Sequence, residues 1–159
     1  MSAENVSEKN KALIRRWFEE VWNQGRMDAI GEMFAKNGIS HGLLDDAKLL
    51  RGPVVLRRFH TQFRLVFPTI KVVVEDQIAE GDKVATRCSM HTKPSRSRHQ
   101  FQPPVVLSGV TITRIKDGKI VEAWNNYVNR LVHSEILSPS EGPGCKPAEN
   151  NFWQPRRRR

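Results

Sequence analysis

The 159-residue chain has little cysteine and no long apolar run, and each absence excludes a class of protein. Two cysteines, Cys88 and Cys145, are too few for a disulfide scaffold, and no His or Cys stands at a spacing typical of zinc sites. No apolar stretch approaches the ~20 residues of a membrane-spanning helix. The N-terminal segment MSAENVSEKNK lacks the apolar core of a secretory signal. We therefore expect a cytoplasmic protein without a metal, a cofactor or a membrane partner.

A continuous basic stripe is also missing, although the net charge is +9. Acids are interleaved with the basic residues, as where Glu19-Glu20 follow Arg15-Arg16. A nucleic-acid surface would need clustered cations with stacking aromatics. Nucleic-acid binding is therefore not expected, and the run Arg156–Arg159 is either an interaction element or a solvated tail.

Apolar residues recur at three- and four-residue spacing near the N-terminus, which predicts two amphipathic helices. The first covers residues 4–23 and ends at Asn23-Gln24-Gly25. The second is short, includes Phe34 on its apolar side and ends at Lys36-Asn37-Gly38. Residues 39–51 show no strong period and are predicted to be loop, with a short strand near residues 39–41.

A third helix is predicted to begin at Arg51-Gly52-Pro53, because proline fits the first turn of a helix, and to end at Pro68. On this interpretation His60 lies off the apolar stripe and faces solvent. The predicted apolar side consists of Val55, Phe59, Phe63, Val66 and Phe67.

The second half of the chain is rich in β-branched residues and predicts two antiparallel hairpins. The first joins residues 70–80 to 83–92, and the second joins residues 105–116 to 119–132 through Asp117-Gly118, a dipeptide that suits tight hairpin turns. Three helices followed by a curved four-stranded sheet make an α+β fold, with an apolar cavity under the helices. We expect one domain over residues 1–137 and an unfolded basic tail over residues 138–159.

The last predicted strand carries an unusual series of side chains on one face. Strict alternation places Ile120, Glu122, Trp124, Asn126 and Val128 together, and this face is predicted to line the cavity. The same alternation points Tyr127, the single tyrosine, away from the cavity.

Three stretches resemble one known family. They are RRWFEEVWNQGRMDAIGEMFAKNGISHG, GPVVLRRFHTQFRLVFPTIKVVVEDQIAEGDKVATR and GVTITRIKDGKIVEAWNNY. They are similar to the SnoaL-like polyketide cyclase or ester cyclase group of the nuclear-transport-factor-2-like superfamily, over roughly residues 8–132. The resemblance implies a cone-shaped α+β barrel, a homodimer packed through the outer face of the sheet, and a small hydrophobic ligand or substrate.

The chain departs from that family at the residue that carries its chemistry. Cyclases of the group place an acid four positions after the strand tryptophan, and here that count runs from Trp124 to Val128. Valine cannot transfer a proton, so the resemblance predicts a cyclase or isomerase with a non-standard site.

Four residues are the catalytic candidates that remain: His41, His91, Arg87 and Asn126. His41 stands where the family carries a histidine and is either a base or a loop histidine. Arg87 is expected to pair with Glu122, which would either orient a carbonyl or lock the sheet. His91 is a second base or an exposed residue, and Asn126 holds either a ligand oxygen or a backbone group.

The predicted pocket is largely aromatic and is lined by Trp17, Phe18, Phe59, Phe63, Glu122, Trp124 and Val128. Asp45, Asp46 and His99 are further titratable residues whose placement the sequence leaves open. An outward Tyr127 argues against a scytalone-dehydratase-type site, and Arg87 without a neighbouring acid argues against a limonene-epoxide-hydrolase-type site.

Three functions remain open from sequence alone. The first is a cyclase or isomerase in which His41 and His91 replace the missing acid. The second is a non-catalytic protein that binds an apolar metabolite, and the third is an interaction module that uses the basic tail.

Overall fold

The structure, a computed structural model, describes residues 3–43, 49–93 and 104–129. The predicted tail with its boundary at residue 137, the C-terminal Arg156–Arg159 run and nearly all of the predicted loop at residues 93–104 lie outside these ranges. In chain order the elements are helix α1 (Ala3–Trp17), a π-helix (Phe18–Asn23), α2 (Met27–Met33), β1 (Phe34–His41), β2 (Leu50–Arg51), α3 (Gly52–Val66), β3 (Thr69–Glu80), β4 (Lys83–Lys93), β5 (Val106–Lys116) and β6 (Lys119–Asn129).

The first predicted helix is present, but its last six residues are wound as a π-helix. Phe18, Val21 and Trp22 of this segment are all buried. At its end the Asn23 side chain hydrogen-bonds both the backbone N–H and the backbone C=O of Val72 on β3, at 2.7 and 3.1 Å. Since β3 is an edge strand, Asn23 acts as a short substitute for a neighbouring strand.

Helix α3 is rotated relative to the predicted helix. Val55 and Val66, predicted to be buried, are 40% and 51% exposed, whereas Leu56 and His60 are 2% and 1% exposed. The prediction that His60 faces solvent is therefore wrong. Its ring packs edge-on against Trp22 with ring centres 4.9 Å apart, so the neutral imidazole serves as a core aromatic.

The sheet has six strands in the order β2-β1-β6-β5-β4-β3. The two predicted hairpins, β3–β4 and β5–β6, are confirmed with their antiparallel registers. The predicted four-stranded sheet is incomplete, because β1 adds to β6 in parallel and β2 adds to β1. The strand order is linear, so the described sheet is open between β2 and β3 and is not a closed barrel. The helices pack on one face of this sheet, called the inner face below, and none of the described helices covers the opposite, outer face.

A β-bulge in β6 decides which side chains reach the inner face. Ile115 of β5 pairs with Ile120, but the preceding Arg114 pairs with Glu122, so Val121 is an extra residue without a partner. An extra residue inverts the alternation beyond it.

Past Val121 the inner face therefore carries Ala123, Asn125 and Tyr127, and the outer face carries Trp124 and Val128. The prediction of which β6 side chains face the cavity is therefore wrong after Ile120.

No helix in the described ranges is long and apolar enough to cross a membrane.

Candidate ligand-binding cavity

A cavity of about 140 Å³ lies between the helices and the inner face of the sheet. Its wall is mostly apolar and rich in aromatic rings. The helices and the strands both contribute, with the lining formed by Trp17, Phe18, Trp22, Phe34, Ser40, Gly42, Leu43, Leu56, Phe59, Phe63, Met90, Leu107, Thr111, Thr113, Ile120, Ala123, Asn125 and Tyr127. Every polar side chain in this lining is uncharged. Among the described residues, no carboxylate, imidazole, ammonium or guanidinium group reaches the cavity.

Asn125 of β6 is the centre of the polar part of the wall. Its amide nitrogen donates to Ser40 Oγ at 3.0 Å and to the backbone carbonyl of His41 at 2.7 Å. Its amide oxygen accepts a hydrogen bond from Thr111 Oγ1 at 3.1 Å. Both amide hydrogens are therefore used on β1 and the amide oxygen accepts from β5, which fixes the side chain against the wall.

Ser40, Asn125 and Thr111 form a row of polar side chains, called the polar row below, and Tyr127 continues it towards β4. Its hydroxyl lies 2.6 Å from Thr111 Oγ1 and 3.4 Å from Cys88 Sγ. An added Cβ on Gly109 of β5 would collide first with the backbone carbonyl of Asn126, and it would also come within 2.8 Å of the Cα and the ring of Tyr127. Gly109 therefore makes room for the β6 backbone as well as for the Tyr127 ring.

The buried hydroxyl and thiol of this row are uncharged at neutral pH. Burial, and then the neighbouring Cys88, raise the pKa of Tyr127 well above its usual value. Burial raises the pKa of Cys88 as well, partly opposed by its hydrogen bond with Tyr127. Neither group is a thiolate or phenolate nucleophile, and both carry a proton for hydrogen bonding.

The predicted catalytic residue His41 lies on the outer face, not at the cavity. Its Nε2 is 3.0 Å from Glu122 Oε1, and its ring stacks on Trp124 with ring centres 5.6 Å apart. Arg114 donates to the other carboxylate oxygen of Glu122 at 3.0 Å and lies over the Trp124 ring. These four side chains, the outer-face cluster, explain why Glu122 and Trp124 are absent from the cavity wall.

The other three catalytic candidates also lie on the outer face. Arg87 forms its ion pair with Glu75 on β3, so the predicted pairing with Glu122 is wrong. His91 is exposed and lies near Ser89 Oγ, and Asn126 is exposed one residue after the inward Asn125.

Val128, the residue at the family's acid position, is 49% exposed and does not line the cavity.

Of the predicted pocket residues, Trp17, Phe18, Phe59 and Phe63 line the cavity, whereas Glu122, Trp124 and Val128 do not. Sequence reasoning missed Ser40, Thr111, Asn125 and Tyr127. Gly109, a glycine inside an apolar strand, was the available signal, since such a residue often marks the close approach of another group. Because Tyr127 faces inward, the argument against a tyrosine-based site no longer holds. Asp45, Asp46 and His99 lie outside the described residues.

Within the described ranges, no group of three or more His, Cys, Asp or Glu side chains is placed to hold a metal ion.

The fold is shared with several proteins of different assigned activities. IdmH of Streptomyces antibioticus, a candidate polyketide cyclase, is 22% identical with a TM-score of 0.67, over 80% of this chain and 97% of IdmH. AclR of Streptomyces galilaeus, a candidate hydroxylase, is 22% identical with a TM-score of 0.65, over 84% and 89% of the two chains. An LEH-like epoxide hydrolase of M. tuberculosis is 11% identical with a TM-score of 0.62, over 77% and 84%.

Identities this low show a common fold and do not assign an activity. No curated protein matches the sequence significantly. The family assignment rests on the sequence itself, because the model of the SnoaL-like polyketide cyclase family matches residues 12–131. The chain therefore belongs to the SnoaL-like polyketide cyclase family.

Proposed function

We propose that the chain binds a small, neutral, largely apolar molecule in the cavity, and that it acts on a polyketide-like substrate by cyclase or isomerase chemistry. The observation that carries the proposal is an aromatic cavity whose polar groups are all uncharged and converge from three neighbouring strands. Apolar pockets with a few placed polar groups are the usual form of small-molecule sites.

The size of the cavity limits what it encloses. A dry apolar cavity of about 150 Å³ is known to hold benzene. At about 140 Å³ the cavity has room for one six-membered ring or a short acyl segment.

The charge of the wall limits the ligand further. A buried carboxylate or ammonium group needs a partner of opposite charge, and an unpaired charge is strongly destabilising. The described lining offers no such partner. We therefore expect ketones, esters and aromatic rings to be accepted and charged acids or amines to be rejected.

Cyclisation or isomerisation through an enolate requires a proton acceptor as well as a hydrogen-bond donor. The described wall supplies a hydroxyl donor at Ser40 but no acceptor of suitable basicity. Asp45 and Asp46, which follow the lining residue Leu43 closely in sequence, remain the candidate acids for this role. His41 and His91 are less favoured, because both side chains lie on the outer face.

Binding without turnover is the second candidate function, and the lack of a base in the described wall favours it. The two are separated by incubating the protein with linear poly-β-ketone esters and analysing the mixture by mass spectrometry. A cyclised product, of unchanged mass or lighter by one water, supports the enzyme. Saturable binding with no product supports the binding protein.

The location of binding is tested by filling the cavity. Ala123 lines the cavity, so Ala123→Phe is expected to abolish ligand binding measured by calorimetry. The matched control is Val54→Phe, at a residue of α3 that is 60% exposed, and it is expected to bind normally. Equal binding by both variants would contradict the proposed site.

The outer face supports a further part of the proposal, a homodimer. Several large apolar side chains are exposed on it, namely Val73, Ile78, Val110, Ile112 and Val128. Exposed apolar patches of this kind commonly mark protein interfaces. The alternative of an interaction module based on Arg156–Arg159 stays a prediction, since that run lies outside the described residues.

A further inference from the structure

Hydrogen bonds along the polar row of the cavity wall are all donated in the same direction. This direction determines what kind of ligand atom the row recognises. Resting on the proposed function, we propose that Ser40 Oγ is the recognition group of the cavity and donates its hydrogen to an acceptor oxygen of the ligand, of the ketone or ester carbonyl type.

The direction is set at the backbone carbonyl of His41. A carbonyl oxygen only accepts, so the atom of Asn125 that lies 2.7 Å from it is the amide nitrogen and not the amide oxygen. The amide oxygen of Asn125 therefore points to Thr111, and Thr111 Oγ1 donates its single hydrogen to it. One acceptor-only group thus fixes the orientation of the amide and of the threonine hydroxyl.

The same reasoning extends along the row to β4. Thr111 has no second hydrogen, so the 2.6 Å contact with Tyr127 is a hydrogen bond donated by the tyrosine hydroxyl. Tyr127 has then used its hydrogen, and its contact with Cys88 is donated by the thiol. Donation runs in one sense from Cys88 through Tyr127 and Thr111 to Asn125.

Ser40 is the last member of this row. Its Oγ accepts from the second hydrogen of the Asn125 amide at 3.0 Å. Among the described residues, no acceptor takes the hydrogen that Ser40 itself carries. The side chain is 3% exposed and lines the cavity, so water outside the protein does not satisfy this hydrogen.

A buried hydroxyl without an acceptor is unfavourable, and a ligand that supplies one removes this cost. The upstream bonds also polarise the terminal hydroxyl and strengthen its donation. The hydroxyl of Ser40 therefore improves the binding of a carbonyl compound and has no such effect on a hydrocarbon of the same shape.

The test compares two probes of nearly the same shape, cyclohexanone and methylenecyclohexane, in which a carbonyl oxygen is exchanged for a CH₂ group. Affinities are measured by protein-detected NMR titration of the full chain. Each affinity also depends on how strongly water solvates the free probe, so the informative quantity is the ratio of ketone to alkene affinity. Ser40→Ala is expected to lower this ratio about 2- to 12-fold relative to wild type, the value of one net hydrogen bond.

The matched control is Ser108→Ala on β5. Ser108 does not line the cavity, so the ratio of ketone to alkene affinity is expected to be unchanged in this variant. An equal ratio in wild type and Ser40→Ala overturns the inference and leaves the proposed binding function standing. If neither probe binds, the proposed function fails and the inference falls with it.

A second measurement requires no variant, in case Ser40→Ala does not fold. The carbonyl stretch of ¹³C-labelled cyclohexanone is recorded by infrared spectroscopy in the complex. A band shifted to lower wavenumber than in an alkane solvent is the expected sign of a donated hydrogen bond. An unshifted band contradicts the assignment to Ser40.

Discussion

At the scale of single residues, small differences in position decide which polar groups meet the cavity. Asn125 lines it and Asn126 does not, and Ser40 lines it while the ring of His41 lies on the other face. The amide expected from the sequence is present at the cavity, but Asn125 carries it in place of Asn126. A shift of one residue along a strand decides whether a side chain faces the cavity. The bulge therefore determines the site as much as the residue types do.

His60 gives a prediction about stability and pH. Burial, followed by the nearby Arg64, lowers the pKa of His60 from 6.5 to about 4, opposed in part by the Val21 backbone. The unfolded chain takes up a proton at a higher pH than the folded protein does, so the free energy of unfolding falls as pH drops from about 6.5 towards 4. The loss amounts to about 3 kcal/mol at most.

Chemical denaturation between pH 7 and pH 4 measures this effect. Acids also titrate near the lower limit, so the relevant quantity is the difference from a variant. His60→Phe is expected to show a shallower decline than wild type, because the unfolded variant has no imidazole at this position to take up the proton. Parallel curves for wild type and His60→Phe would refute the assignment.

At the scale of elements, α1 and α3 were predictable in extent and the sheet only in part. The predicted second helix is too long, because α2 ends at Met33 and Phe34 already belongs to β1. The apolar period located α1 and α3, and the Gly-containing turns located both hairpins. Only the end of β1, near residues 39–41, was predicted as a strand. Its first half was missed because Lys36, Asn37 and Gly38 are typical of a helix end, and its strand conformation depends on pairing with β6, far along the chain.

The bulge in β6 escaped prediction for a different reason. Val121 is itself a good strand residue, so a strict alternation fits the sequence without a break. Only the pairing of Arg114 with Glu122 shows that one residue is extra. The four predicted pocket residues that come from the helices line the cavity, whereas those predicted from β6 do not. The extra residue in β6, Val121, accounts for this difference.

The junction of the π-helix with β3 gives a prediction at this scale. Asn23→Ala removes two hydrogen bonds from the backbone of Val72 on the edge strand. We expect a loss of about 1–3 kcal/mol in the free energy of unfolding, measured by urea denaturation. Asn37→Ala, at an exposed position of β1, is the control and is expected to change stability by less than about 0.5 kcal/mol. Equal effects at the two positions would show that Asn23 does not support the strand edge.

At the scale of the whole molecule, the two faces of the sheet carry different sets of side chains. The inner face and the helices enclose the cavity, while the outer face carries the outer-face cluster beside exposed apolar side chains. The proposed division assigns ligand binding to the first and self-association to the second.

Self-association is tested by placing a charge on the outer face. Ile112 is 40% exposed there, and Ile112→Glu is expected to convert a dimer to a monomer in light scattering coupled to size-exclusion chromatography. Leu65→Glu, at a residue of α3 that is 67% exposed, is the control and is expected to remain dimeric. A monomeric wild type would contradict the proposal at once.

The central claim is that a neutral apolar ligand occupies the cavity against the inner face of β6. Isotope-filtered NOE spectroscopy on the complex with cyclohexanone tests it most directly, because the method reports which protein hydrogens lie beside the ligand. The account predicts NOEs from the ligand to the methyl group of Ala123 and the ring of Tyr127. NOEs confined to outer-face residues such as Trp124 and Val128 would contradict it.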